Sequence, residues 1–163
     1  MRLASGRSSR LNRPMTPRQI TDPAQGSAVL ALLHTAFAGM QGRIDPPSSL
    51  WGMTGPQLFA AGEIWAIGAP PLACVILRPH GGVLQLGKLA VAPDQQGKGH
   101  ARALIDMAVQ RARTLGLPCL ELQTRIELIE NHAVFHALGF QETARRSHPG
   151  YDRPTTITFR KSV

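Results

Sequence analysis

The chain has 163 residues, 43% of them hydrophobic, enough for one domain that buries a core without disulfides or structural metals. No apolar run approaches the roughly 18 to 20 residues that a membrane-spanning helix needs, so the sequence reads as a soluble globular protein with no membrane partner. Lys plus Arg number 18 against 10 Asp plus Glu, a formal charge of +8, which favours an anionic partner.

Four of the arginines, Arg2, Arg7, Arg10 and Arg13, fall in a stretch without acidic residues or apolar patterning, which weakens any nucleic-acid reading. Residues 1–15 are expected to be a disordered basic leader or an over-extended start, and residues 16–163 a single domain. Cys74 and Cys119 each lie inside an apolar strand-like run. One such pair gives no disulfide framework, so both are expected to be buried free thiols, as in a reducing cytoplasm.

Residues 17–22 read as a short strand, and residues 23–40 as a helix with Val29, Leu32, Leu33, Ala36 and Phe37 at helical spacing. A Pro- and Gly-rich connection follows, with a short helix around residues 56–61. Three strands come next, 63–68, 72–79 and 83–91, and the short turns between them make antiparallel neighbours. From about His100 the pattern is the clearest in the chain. Ala101, Leu104, Ile105, Ala108, Ala112 and Leu115 form one apolar stripe, while Arg102, Asp106, Arg111 and Arg113 face outward. Gly116 stops that helix and Pro118 prevents its resumption. Residues 119–124 are then a strand, 131–140 a short helix ending at Gly139, and 155–161 a closing strand. The whole makes a mixed α/β sheet with helices packed on it.

The turn "DQQGKGH" joins the strand ending at Val91 to the helix starting near His100. The first backbone N–H groups of a helix have no partner within it, and with the helix dipole they make an anion site. Gly97 and Gly99 let the backbone approach a ligand in conformations that a Cβ disfavours, so phosphate is the natural guest. Two familiar phosphate loops fail on spacing. A Walker A loop needs Gly five residues before its Gly-Lys pair, where Ala92 stands, and Gly99 replaces its Ser/Thr; a dinucleotide fingerprint needs a third Gly where Arg102 stands.

What remains, "LAVAPDQQGKGHARAL", resembles the acetyl-CoA-binding signature of the GNAT superfamily of N-acetyltransferases, with Gln96, Gly99 and Ala101 at its fixed positions. Downstream, "ENHAVFHALGF" resembles the second signature of that superfamily, in which an Asn begins a helix ending in Leu-Gly-Phe. The resemblance covers roughly residues 16–163. It implies a mostly antiparallel central sheet of six to seven strands flanked by about four helices, splayed at the strand that binds the cofactor. It implies acetyl-CoA as co-substrate, with Leu89, Ala90 and Val91 along the pantetheine and acetyl group and Gln96, Gly97, Lys98, Gly99, His100, Ala101 and Arg102 at the pyrophosphate. Asn131 would cap its helix or touch the pantetheine, and Phe135 would pack along it.

The family often carries a Tyr where this chain has Phe135, placed to protonate the departing thiolate. Phe cannot donate a proton, which makes Tyr151, the one tyrosine in the chain, a candidate acid. Among carboxylates Glu121 is the best placed to serve the chemistry, with Glu63, Glu127 and Glu130 open through water. Only His132 and His136 share an i, i+4 spacing, without paired cysteines or an HExxH run, so no metal is expected. The expected activity is transfer of an acetyl group to a primary amine of a small molecule or peptide, by direct attack in a ternary complex. The alternative is a catalytically weak acyl-CoA-binding regulatory or sensor module. The stretch from Met40 to Leu58, with Trp51, Met53 and Phe59, is expected to line the acceptor pocket. A homodimer is expected, built by extending the sheet at an edge strand over 155–161.

Overall fold

The computed structural model describes residues 15–163; all but Met15 of the basic leader expected over residues 1–15 lies outside the described residues. β1 (Arg18–Ile20) leads through a turn of 3-10 helix into α1 (Gly26–Phe37), and a further 3-10 turn, Ala38–Met40, ends it. Residues 23–40 are thus helical throughout, a 12-residue α-helix with a turn of 3-10 helix at each end. α2 (Gly55–Ala61) begins in a capping box, where Thr54 Oγ1 accepts from Gln57 N and the Gln57 side chain accepts from Thr54 N. Then come β2 (Glu63–Ile67), β3 (Ala73–His80), β4 (Val83–Val91), α3 (His100–Thr114), β5 (Cys119–Arg125), α4 (Ile129–Ala137), β6 (Gln141–Arg146) and β7 (Thr156–Ser162).

The strands form one seven-stranded sheet in the order β1-β2-β3-β4-β5-β7-β6. Every neighbouring pair is antiparallel except β4 and β5, which are joined through α3 and run parallel. β7 thus lies inside the sheet, between β5 and β6, and is not the edge through which a second subunit was expected to pair. The edge on that side is β6, and β1 is the other; the β6 sequence, QETARR, is largely exposed and has no apolar alternation. Its glutamate and arginines are the kind of residue that blunts an edge.

Both faces of the sheet are covered in its first half. Ala73, Val75 and Leu77 of β3 face the core under α3 with Leu84, Leu86, Leu104, Ile105 and Ala108. Cys74 and Ile76 face the other core, with Val29, Leu33 and Leu58 of α1 and α2. Each large apolar side chain fully removed from water in this way contributes about 1.5 to 3 kcal/mol. Among the described residues, no helix is long and apolar enough to cross a membrane.

Two irregularities in β4 position the site. Its register against β3 shifts between Cys74, opposite Ala90, and Ile76, opposite Gly87, so that Lys88 and Leu89 together oppose Val75. Lys88 sits in this β-bulge with φ of 51°. The bulge reverses the alternation: Leu84 and Leu86 point into the α3 core, whereas two strand steps further on Ala90 points into the α1 core. The second irregularity is a splay. β4 pairs with β5 only from Leu84 to Leu86, so the β5-facing backbone groups of the rest of β4 have no strand partner.

Candidate functional site

The splay opens into a cleft of about 700 Å³ between the end of β4, the start of α3, the end of α1 and α4. Leu89, Ala90, Val91, Gln96, Gly97, Gly99, His100, Ala101, Arg102, Asn131 and Phe135 all line it. Of the residues assigned to the cofactor from sequence, Lys98 alone stands off the cleft wall; it is exposed and its Nζ reaches Gln95 Oε1 at 3.4 Å.

At the end of the cleft beside α3, Gly99 is the N-cap of that helix, with φ 84° and ψ 10°, and no side chain caps the helix. Gly97 has φ 77°, and nothing lies within 4 Å of where a Cβ would stand at either glycine. Both therefore serve the turn's left-handed conformation and an open approach, not packing. His100 is 7% exposed, its Nε2 lies 3.3 Å from Gln95 Oε1, and its Nδ1 is buried without a partner. Free first-turn amides, an orphaned imidazole nitrogen and a glycine cradle fit a bound diphosphate.

Asn131 was read as the first residue of its helix, but α4 begins two residues earlier. Its N-cap is Leu128, no side chain caps it, and Asn131 N already donates to Leu128 O at 3.0 Å. The amide side chain of Asn131 is thus free of a capping role and faces the cleft. Phe135 packs its ring on Phe140 and Phe159, at centroid distances of 6.1 and 5.8 Å, with one side on the cleft. The Leu-Gly-Phe ending is a helix stop: Gly139 takes φ 93° and Phe140 N donates to Phe135 O at 3.0 Å, burying Phe140. Across the mouth of the cleft Arg43 makes a bidentate pair with Glu130 of α4, at 2.6 and 3.0 Å. That guanidinium holds the Glu130 carboxyl down at about 2.

A second pocket, about 360 Å³, adjoins the first and shares Phe37, Met40, Leu89, Leu128, Asn131 and Phe135 with it. Ile44, Ser48, Ser49, Lys88, Arg125, His148 and Thr156, with Leu86, Leu122, Gln123 and Thr124, complete its wall. Met40, Ile44, Ser48 and Ser49 bring the α1–α2 connection to this cavity, whereas the three residues singled out from it lie elsewhere. Met53 and Phe59 pack into the α1 core, and Trp51 lies against His34 with ring centroids 5.1 Å apart.

His148, Lys88 and Arg125 were not singled out from sequence as part of the site. No local motif marks them; what brings them together is the splay, the bulge and the β6–β7 loop. His148 Nδ1 hydrogen-bonds Thr155 Oγ1, which leaves Nε2 available. Burial, and then the charge of Arg125, push the His148 pKa down, opposed by Glu127. Arg125 donates to Pro46 O at 2.7 Å and so ties the α1–α2 connection to β5. Tyr151 donates to Asp45 Oδ1 at 2.6 Å, which raises its pKa, and Arg153 reaches the other carboxylate oxygen at 3.4 Å. These contacts clasp the β6–β7 loop to the α1–α2 connection; Tyr151 itself lines neither cavity.

The carboxylates named from sequence are placed differently. Glu121 lies opposite Gln85, four residues before Leu89 and so roughly 13 Å along the strand. Its oxygens accept from Gln85 Nε2 at 3.1 Å and Arg160 Nε at 2.8 Å, which ties it to the neighbouring strands, and it lines a separate cavity of about 560 Å³ with Gln85, Leu86 and Lys88. Glu63 is paired to Arg111 of α3 at 2.6 Å and also accepts from Trp65. Cys74 is fully buried and its thiol is pushed up to about 12, while Cys119, expected to be buried, is half-exposed at the start of β5. Among the described residues, no three His, Cys, Asp or Glu side chains gather as a metal site would require.

Residues 28–140 match the family model described as the Acetyltransferase (GNAT) family. Solved structures share the fold. An acetyltransferase from Streptococcus agalactiae superposes with a TM-score of 0.71 at 14% identity, over 93% of this chain and 99% of that one. A GNAT family acetyltransferase from Elizabethkingia anophelis, with acetyl-CoA bound, gives 0.67 at 18% identity over 92% and 99%. The ribosomal-protein-S18-alanine N-acetyltransferase from Escherichia coli gives 0.65 at 18% over 90% and 92%. No curated protein matches the chain in sequence.

Proposed function

The chain belongs to the acetyltransferase (GNAT) family, and from that premise we propose that it transfers an acetyl group from acetyl-CoA to a primary amine by direct attack in a ternary complex. The observation that carries this reading is the continuity of the two cavities at Leu89, where the splay frees β4 backbone groups. The free amides of α3, with His100 and Arg102, hold the diphosphate, and the pantetheine runs along Leu89 to Val91 against Asn131 and Phe135. A freed N–H of β4 then stabilises the charge that develops on the thioester oxygen.

The acceptor amine enters through the second pocket and attacks the carbonyl carbon. A C–N bond forms, the C–S bond breaks, and CoA leaves as the thiolate. The amine's proton passes to Nε2 of His148, whose lowered pKa keeps it neutral and able to accept at pH 7. Tyr151 closes the pocket by holding Asp45, and solvent protonates the thiolate, whose intrinsic pKa of about 8.5 makes it a fair leaving group. The buried, protonated Cys74 supports direct attack over an acyl-enzyme. Release of free CoA from acetyl-CoA, screened against an amine library, tests the reading. Acetyl-CoA that stabilises the protein while no amine is acetylated would favour the binding-module alternative instead.

A further inference from the structure

Lys88 is the least expected residue in the acceptor pocket. The bulge in β4 turns its side chain out of the α3 core, where unbroken alternation would have sent it, and onto the pocket wall beside Leu89. It is half-buried, and among the described residues its ammonium makes no hydrogen bond or ion pair. Burial and the neighbouring Arg125 both act against its charge. Arg125 stands on the same wall, with part of its guanidinium occupied by Pro46 O and Pro47 O.

Two cations held this close without an anion between them repel, and a half-buried cation without a partner is costly. The neighbouring carboxylates do not relieve it. Asp45 accepts from Tyr151 and Arg153; Glu121, which lines a neighbouring cavity that Lys88 also borders, accepts from Gln85 and Arg160; and Glu127, whose charge is felt at His148, has one buried oxygen without a partner; neither Glu121 nor Glu127 lines the acceptor pocket. His148, the remaining titratable group on the wall, is not an anion in either protonation state. The pocket therefore presents two positive groups and no carboxylate to whatever fills it.

We propose that the acceptor is an amine that also carries a carboxylate, and that Lys88 and Arg125 hold that carboxylate while the amine faces the thioester at Leu89. The inference rests on the acetyl-transfer reading and narrows its substrate class to amino acids. The carboxylate of the substrate supplies the charge that the fold leaves out, and desolvation inside the pocket strengthens that pairing.

The test uses matched acceptors: α-, β- and γ-amino acids against their carboxamides, with CoA release as the readout. The amide of each pair has the less basic amine, so more of it is unprotonated at neutral pH, which biases the comparison against the expectation. The carboxylate member of at least one pair should nevertheless be preferred tenfold or more in kcat/KM. Lys88→Met should remove that preference, chiefly through KM, while Lys88→Arg keeps most of it. Both variants should retain the rise in Tm that acetyl-CoA produces, which reports folding and the donor site separately. Carboxamides used as well as amino acids, a preference that survives Lys88→Met, or no panel member acetylated by a protein that does bind acetyl-CoA would each overturn the inference and leave the donor site standing. Absence of any acetyl-CoA shift in the wild type would instead bring down the acyl-transfer reading, and this one with it.

Discussion

Gly99→Asp puts a carboxylate where the diphosphate of the donor is expected, and the structure allows the consequences to be worked through. At φ 84° and ψ 10° an Asp is strained, by about 1 kcal/mol, since a short polar side chain is the best tolerated there after glycine. Its Cβ meets nothing within 4 Å, so no clash is added. A negative charge at the start of α3 recovers roughly 0.3 to 1 kcal/mol from the helix dipole. The apo variant should therefore lie within about 1 kcal/mol of wild type, a Tm change of about 2 to 4 °C at most for a domain this size.

Ligand binding should change far more. A unit charge about 4 Å from the diphosphate costs about 4 kcal/mol at the effective dielectric of a protein surface, roughly a thousandfold in Kd. Acetyl-CoA at one hundred times its wild-type Kd stabilises the wild type by about 2.7 kcal/mol, or about 5 to 11 °C. The same concentration is only about a tenth of the variant's Kd, and the shift should vanish. Gly116→Asn is the control, because Gly116 also has a positive φ, 70°, and open space, but at the far end of α3; it should keep the full shift. Differential scanning fluorimetry of the three proteins decides the matter. A folded Gly99→Asp protein with the wild-type acetyl-CoA shift refutes the placement of the diphosphate at α3.

His148→Gln should lower kcat about a hundredfold and remove the acid limb of the kcat/KM profile, since Nε2 accepts only when neutral. The His148 pKa is lowered below 6.5, so activity should persist at pH 7 and fall as pH drops through the folded value. The unfolded chain binds that proton at a higher pH than the folded one, so stability should also decline below about pH 6.5; an unchanged profile in the variant removes His148 as the base. Tyr151→Phe should raise the acceptor KM by loosening the clasp to Asp45, and a loss of a hundredfold in kcat at unchanged KM would return Tyr151 to the role of acid. Glu63→Gln leaves Arg111 without its ion partner and should cost about 1 kcal/mol, about 2 to 4 °C in Tm, with kcat retained; a large loss of kcat would show a role in the chemistry. If the expected homodimer forms by sheet extension, it must use one of the two edge strands, β1 or β6, and light scattering should report about twice 17.6 kDa; the monomer mass across micromolar concentrations rejects it.

The cleft proposed for the donor was legible in the sequence because its signals are local. The glycines of the turn, the apolar stripe of α3 from Leu104 to Ala112 and the Leu-Gly-Phe stop after α4 each act within a few residues and appear where the pattern put them, whereas Leu115, expected to end the stripe, is exposed and Arg111, expected to face outward, is half-buried against Glu63. The strand QETARR was missed because an exposed edge strand needs no apolar alternation, and with it went the placement of β7 inside the sheet. The pocket proposed for the acceptor was decided only by tertiary structure. Strand alternation read from "VLQLGKLAV" puts Lys88 on the same face as Leu84 and Leu86, and only the bulge against Val75 turns it toward Arg125 and His148. Those three residues come from β4, β5 and the β6–β7 loop, and their meeting depends on where β4 and β5 part after Leu86. Pairing between distant strands sets that point, and no periodicity within a single segment encodes it.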